Sequence, residues 1–197
     1  MERLLAEVKQ VRDFARSSSL RTQLTCIKDD GTVSRAKSIY KFEKPSRVFL
    51  NITESTNENV AGTRLLWTGG AEVQVRTRFI GVWVTLPLSV EDERIKDDRG
   101  YSLAQTSIPK IYDTLLHPAA RLALRGETTV AGRPADVLDV VSPLSLAPTT
   151  REVFAIDRQT RTPVLREMYR GDRLIYRMQV DHITLNAPLT AADFSLE

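Results

Sequence analysis

One stretch, EVQVRTRF (Glu72–Phe79), carries the pattern that decides the fold. Every second position holds Val73, Val75, a threonine or Phe79, and a glutamine and two arginines lie between them. Successive side chains of a β-strand point to opposite faces, so this period of two predicts a strand with an apolar inner face and a cationic outer face. The preceding Gly69-Gly70 is typical of a hairpin turn. The stretch is therefore predicted to be one strand of an antiparallel sheet.

The same rhythm continues along the chain in both directions. Asp29-Asp30-Gly31 ends in Asp-Gly, the strongest short hairpin signal, and Gly171-Asp172 supplies a further turn. Strands that follow one another without helices between them indicate an antiparallel meander. The predicted strands cover 20–27, 33–43, 47–54, 63–68, 72–79, 82–86, 127–130, 135–141, 151–156, 164–170 and 173–185.

Two segments have helical spacing instead. Leu4, Val8 and Val11 recur at the helical period and predict an amphipathic helix over 2–16, which the serines at 17–19 end. The segment 89–124 opens with a polar run and continues with apolar residues at helical spacing. Those residues are Ile108, Ile111, Tyr112 and Leu115, with Leu122 and Leu124 predicted to continue a second short helix after Pro118.

These segments predict a single domain over 1–197 of the α+β class. Its parts are the N-terminal helix (2–16), antiparallel strands (20–86), the helical insert (89–124) and further antiparallel strands (127–185). A helix that lies on one face of an antiparallel sheet covers its apolar side, so the insert is expected to lie over the sheet.

Composition excludes several classes of protein. Of 197 residues, 42% are hydrophobic and 27% charged, so a folded core is expected rather than disorder. Cys26 is the only cysteine, which excludes a disulfide scaffold, and with two lone histidines it provides no zinc-ligand spacing, so no metal or cofactor is predicted. No apolar run approaches the ~18 residues of a spanning helix, so no membrane crossing is expected. The net charge of +3 is small and typical of a solvated surface.

No motif predicts catalysis. The chain has no nucleophile elbow, phosphate-binding loop or dinucleotide fingerprint, and neither His117 nor His182 has an orienting partner that the sequence can place. Nucleic-acid binding is not predicted, because Arg76 and Arg78 are out of phase with Phe79, whereas such sheets need aromatics and cations on one exposed face. An enzyme and a nucleic-acid-binding protein are therefore both disfavoured.

The apolar face of the sheet is the remaining functional signal. A curved sheet of this many strands cannot fill its own concavity, and only two helical segments are available to do so. Either the helices fill the space and make an ordinary core, or a cleft remains that suits an apolar ligand, and periodicity leaves both open. The predicted ligand-binding residues are Tyr40, Phe42, Val48, Leu50, Ile52, Leu66, Val73, Val75, Phe79, Val84, Ile108, Ile111, Tyr112, Leu115, Phe154, Ile156, Leu174, Tyr176 and Met178.

Several segments, in order, resemble the lipoprotein-sorting carriers, the LolA/LolB-like family. The resemblance covers about residues 2–196; each motif is weak, and their common order is fairly specific. The segments are YKFEKPSR (40–47), WTGGAEV (67–73), FAIDRQTRTPV (154–164) and ITLNAPL (183–189) with Phe194.

The resemblance implies a strongly curved, incomplete antiparallel β-barrel with a helical lid and an apolar cavity for acyl chains. It also implies that a basic residue before a proline latches the lid, and the matching residue is Lys44, where the best-known carriers have arginine. Arginine offers a fork of donors that lysine lacks. The insert is longer than the family's usual lid.

The resemblance further implies a periplasmic or cell-envelope location. No leader follows Met1, so export requires that a leader has been removed. The expected partner of this non-enzymatic carrier is an acylated lipoprotein or lipid, with peripheral or no membrane contact and a monomeric state. The alternative is a protein-interaction or stress-sensing module of the same fold, which docks an envelope protein on the strands around Arg76 and Arg78.

Overall fold

A computed structural model describes all of residues 1–197. Eleven strands form one antiparallel sheet that does not close, and three α-helices accompany it. The helices are α1 (Glu2–Phe14), α2 (Leu103–Thr106) and α3 (Ile108–Leu115), with 3-10 turns at Glu93–Ile95 and Ala191–Phe194. The strands are β1 (Ser17–Ile27), β2 (Val33–Glu43), β3 (Arg47–Ser55), β4 (Arg64–Trp67), β5 (Glu72–Phe79), β6 (Val82–Ser89), β7 (Arg121–Val130), β8 (Arg133–Val141), β9 (Arg151–Asp157), β10 (Pro163–Arg170) and β11 (Arg173–Leu185).

The strand order is β6-β5-β4-β3-β2-β1-β11-β10-β9-β8-β7. Sequential strands pair within β1–β6 and within β7–β11, and β1 pairs with β11, which joins the N-terminal and C-terminal halves of the sheet. β6 and β7 remain as edges. The predicted fold class, an incomplete antiparallel barrel with a helical lid, is confirmed.

The hairpin at Gly69-Gly70 shows how turn chemistry fixes the register. Gly69 has a φ of +91°, and a Cβ atom there would overlap the side chain of Ser46. Ser46 donates a hydrogen bond of 2.8 Å to the carbonyl of Thr68 in the same turn. Only glycine fits this position, so the turn holds β4 and β5 in the register that pairs Leu65 with Val75.

The helices cover one half of the sheet. Val8 of α1 and Ile111 and Leu115 of α3 are buried against β8 and β9, where Leu138 and Phe154 are fully buried. Over β3–β6 the covering segment contains only the 3-10 turn and the single turn of α2. The two halves of the sheet are therefore covered unequally.

The helical insert is shorter than predicted. Its last helix ends at Leu115, and Arg121–Leu124, predicted as the end of the 89–124 insert, belongs to β7. Leu122 and Leu124 are two residues apart, which suits a strand equally well, and Leu124 pairs with Leu138 of β8. Gly126 lies at a register shift inside β7.

Other boundaries move by one to three residues. The N-terminal helix ends at Phe14 rather than at residue 16, and β1 begins at Ser17 rather than at residue 20. Pro87 lies inside β6, which continues to Ser89. A proline is tolerated there because β6 is an edge strand.

Candidate functional site: two clefts on the concave face

The large cleft, with a volume of about 840 Å³, lies between β1–β6 and the segment 93–106. Its floor is built by alternation: Leu50 pairs with Leu65, Leu65 with Val75, and Val75 with Leu86, so one row of apolar side chains crosses four strands. Its polar floor includes Thr63 and Thr77, whose hydroxyls share a hydrogen bond of 2.9 Å. The principal apolar lining residues are Leu24, Leu50, Ile52, Val60, Leu65, Val75, Phe79, Val84, Leu86, Leu88, Ile95, Tyr101, Leu103 and Tyr176.

The roof of the large cleft adds charged side chains to Ile95 and Leu103. Asp97 accepts hydrogen bonds from the backbone N–H groups of Arg99 (2.8 Å) and Tyr101 (3.0 Å). Burial raises the pKa of Asp97 to about 6, with a smaller contribution from the neighbouring Asp98. Lys96 also lines the roof. An occupant of this cleft thus meets an apolar floor and a roof that carries both signs of charge.

The small cleft, of about 400 Å³, lies at the other end of the concave face, between the end of α1, α3 and the strands β1, β2 and β11. Ser18 lines it, is buried, and its hydroxyl has no hydrogen-bond partner. The rim is charged, and the walls are apolar. The lining includes Arg12, Asp13, Ser18, Leu20, Phe42, Lys44, Ile108, Ile111, Tyr112, Asp113, Ile183 and Leu185.

Lys44 holds the N-terminal helix. Its ammonium group donates hydrogen bonds of 2.9 Å to the backbone carbonyls of Arg12 and of Asp13, at the end of α1. Carbonyls at a helix C-terminus lack intrahelical partners and carry partial negative charge, so a cation there is favourable. Lys44 lies in the small cleft beside α3 but makes no hydrogen bond to the insert. The latch role stays a prediction, and the element to which this residue bonds is α1.

The predicted ligand-binding residues fall into four groups. Those of the large cleft are Leu50, Ile52, Val75, Phe79, Val84 and Tyr176. Those of the small cleft are Phe42, Ile108, Ile111 and Tyr112. Those buried in the core without lining either cleft are Tyr40, Val48, Val73, Leu115, Phe154 and Ile156. Those that line neither cleft and are only partly buried are Leu66, Leu174 and Met178.

Two of these residues lie on the opposite face from the one predicted. In Leu65-Leu66-Trp67 every residue is apolar, so alternation cannot assign these side chains to a face of the sheet. The register places Leu65 in the cleft and pairs Leu66 with Gln74. In β11 a bulge at Ile175 inserts one residue. Leu174 therefore pairs with Tyr169 and no longer shares a face of the sheet with Tyr176.

Sequence reasoning missed several lining residues. Leu86 lies on the same face of its strand as Val84, and Leu24 on the same face as Leu20. Alternation in the sequence could therefore have identified both. Tyr101 and Leu103 carry no such signal, because they lie outside regular strands and reach the cleft only through the path of the insert.

The titratable side chains do not form a catalytic constellation around either cleft. His117 accepts a hydrogen bond of 3.1 Å from the N–H of Ala119, and the Nε2 of His182 lies 3.3 Å from the hydroxyl of Thr184. No group of three or more His, Cys, Asp or Glu side chains is placed to hold a metal ion. None of the helices is both long and apolar enough to pass through a bilayer.

Solved structures share the fold of this chain. Lipoprotein LppX of Mycobacterium tuberculosis is similar with a TM-score of 0.54 and 12% identity, covering 96% of this chain and 98% of LppX. LprF of Mycobacterium bovis is similar with a TM-score of 0.51 and 12% identity, covering 96% of this chain and 94% of LprF. The fold is LolA-like. The resemblance found in the sequence is thus confirmed at the level of the fold.

A third structure with the LolA-like fold is the Pseudomonas aeruginosa MucA/MucB complex. The TM-score is 0.50 with 18% identity, covering 98% of this chain and 60% of the matched chain, so this protein spans less than two thirds of that chain. No protein-family model and no curated protein sequence matches.

Proposed function

We propose that the protein is a non-enzymatic carrier of acyl chains in the periplasm or cell envelope. The observation that carries this proposal is the large cleft itself. Its volume of about 840 Å³ lies within the ~300–1,000 Å³ of ligand sites, and its floor is a continuous row of apolar side chains from Leu50 to Leu86. The LolA-like fold supports the same reading.

Affinity arises without covalent chemistry. Each methylene transferred from water to the cleft contributes ~0.8 kcal/mol, so a single acyl chain gains several kcal/mol. The apolar end of the ligand packs on the sheet, and the polar end lies toward the roof, where Lys96 and Asp97 stand. An amphiphile with one or two chains, such as a lipid or an acylated lipoprotein, fits this division.

The test places a charge in the cleft and compares it with the same charge outside. Ile52 lines the large cleft and is half-buried, whereas the adjacent Thr53 is exposed and does not line the cleft. Ile52→Asp should weaken binding of a fluorescent fatty acid at least about tenfold, since the carboxylate must be desolvated beside the chain. Thr53→Asp should leave it unchanged. Equal affinities of both variants and the parent would refute the carrier proposal.

A second function is favoured by a different surface. The β5–β6 hairpin exposes Phe79 (64%), Ile80 (87%) and Val82 (63%), with Arg76 against the ring of Trp83. Exposed apolar groups of this size are typical of docking surfaces, and the complex of MucB with MucA is a precedent within the fold. In this alternative an envelope protein binds the hairpin.

The two functions are separated by one pair of measurements. Arg76→Glu reverses a charge beside the exposed hairpin and lies outside both clefts. Loss of a captured envelope protein with unchanged fatty-acid binding would favour docking. Unchanged capture together with the Ile52→Asp defect would favour the carrier.

A further inference from the structure

The two clefts lie in line on the same strands. Along β2, Ser38 lines the large cleft and Phe42 the small one. Along β1, Leu24 lines the large cleft and Leu20 the small one. Residues four apart on a strand are separated by ~13 Å, so little more than one side chain divides the two spaces.

On β2 that side chain is Tyr40, and on β1 it is the smaller Thr22. Tyr40 lies between Ser38 and Phe42 in the same phase of β2, and it is 7% exposed. It pairs on one side with Leu20, which lines the small cleft, and on the other with Leu50, which lines the large cleft. Its ring therefore occupies the point where the concave face would otherwise run continuously from one cleft to the other.

The roof closes above Tyr40 at the same point. Thr106, at the end of α2, lines the large cleft, and Ile108, at the start of α3, lines the small one. The backbone N–H of Ile108 donates a hydrogen bond of 3.2 Å to the hydroxyl of Tyr40. Sheet and roof are thus joined through this hydroxyl at the boundary between the two clefts.

We propose that Tyr40 limits the length of the acyl chain that the protein accepts. The chain lies in the large cleft with its end against the tyrosine ring, and the small cleft behind the ring stays outside its reach. This inference rests on the proposed carrier function and specifies which chains it selects.

The test measures affinity as a function of chain length. Saturated fatty acids from octanoic to eicosanoic acid are titrated below their micelle concentrations by calorimetry. The affinity of the unaltered protein should rise about fourfold per added methylene, the factor that corresponds to ~0.8 kcal/mol, and then stop rising at one length. Tyr40→Leu opens the barrier, so its affinity should continue to rise for longer acids.

Two control variants isolate the barrier. Tyr40→Phe keeps the ring and removes only the hydroxyl, so its break point should stay within about one methylene of the parent's. Ile183 lines the small cleft and is half-buried, so Ile183→Phe fills the space behind the barrier. Combined with Tyr40→Leu, it should restore the parent's break point. An unchanged break point in Tyr40→Leu would overturn the role of Tyr40.

A label on the unaltered protein keeps the inference testable if Tyr40→Leu does not fold. A fatty acid with a photoreactive diazirine at its methyl end should label Tyr40 or large-cleft residues such as Leu50. Labelling of Leu20 or Phe42 would overturn the inference. Absence of any saturable fatty-acid binding would instead overturn the carrier function, so the two failures are distinguishable.

Discussion

An ion pair buried in the core provides a sharp test of the packing. Arg166 and Glu152 have side chains that are 1% and 0% exposed. The Nε of Arg166 donates to Oε2 of Glu152 at 2.6 Å, and Nη2 donates to Oε1 at 3.3 Å. The remaining nitrogen, Nη1, has no hydrogen-bond partner, and the guanidinium lies 5.8 Å from the ring centre of Phe154. The pair is therefore fully desolvated but not fully satisfied.

Removing one partner of the ion pair should destabilise the protein far more than removing both. Arg166→Met leaves a buried carboxylate without a counter-charge, which costs about 3–5 kcal/mol, a large part of the 5–15 kcal/mol that stabilises a typical domain. The double variant Arg166→Met with Glu152→Leu removes both desolvation penalties. We expect it to be as stable as the parent or more stable by about 1–4 kcal/mol, since Nη1 is already unpaired.

Urea unfolding followed by circular dichroism measures all four members of this cycle. An exposed pair on β2 and β3, Lys37 and Glu54 at 2.8 Å, serves as a control, because their side chains are 53% and 65% exposed. Substituting either of those residues should change stability by less than about 1 kcal/mol. The reasoning is refuted if the losses of the two buried single variants simply add in the double variant.

Three further predictions concern stability and local order. Burial raises the pKa of Asp97 to about 6, so the folded state holds this proton between about pH 4 and 6 and stability falls as the pH rises through that window. Asp97→Asn should therefore stabilise by on the order of 1–3 kcal/mol near pH 7 and by almost nothing near pH 4; equal urea-unfolding gains at both would contradict this. Lys44→Met should speed hydrogen exchange in the last turn of α1. Unchanged exchange would show that the two hydrogen bonds of Lys44 do not stabilise this turn. Gly62 has a φ of +83°, and a Cβ there would lie 2.7 Å from the ring of Trp83, so Gly62→Ala should lower stability by about 1–2 kcal/mol and shift tryptophan emission. An unshifted spectrum would place Trp83 elsewhere.

The strands were predictable because their signals are local. The bounds of β2, β5 and β11 agree with the sequence prediction, since alternation and turn residues such as Asp-Gly define both ends. The insert was harder to delimit, because Leu122 and Leu124 suit either period and only pairing with β8 decides between them. The faces of Leu66 and Leu174 depend on a register and a bulge that no local pattern contains.

Periodicity assigns side chains to a face, but it does not say how much volume lies above them. That volume depends on which strands each helix covers. Ile111 and Leu115 of α3 meet Phe154, so the inner face is packed over β8 and β9. Over β3–β6 only short segments such as Ile95 and Leu103 pack above the row from Leu50 to Leu86, and a cleft of about 840 Å³ remains there. A filled core and an open cleft, which the sequence presents as alternatives, therefore coexist on opposite halves of one sheet.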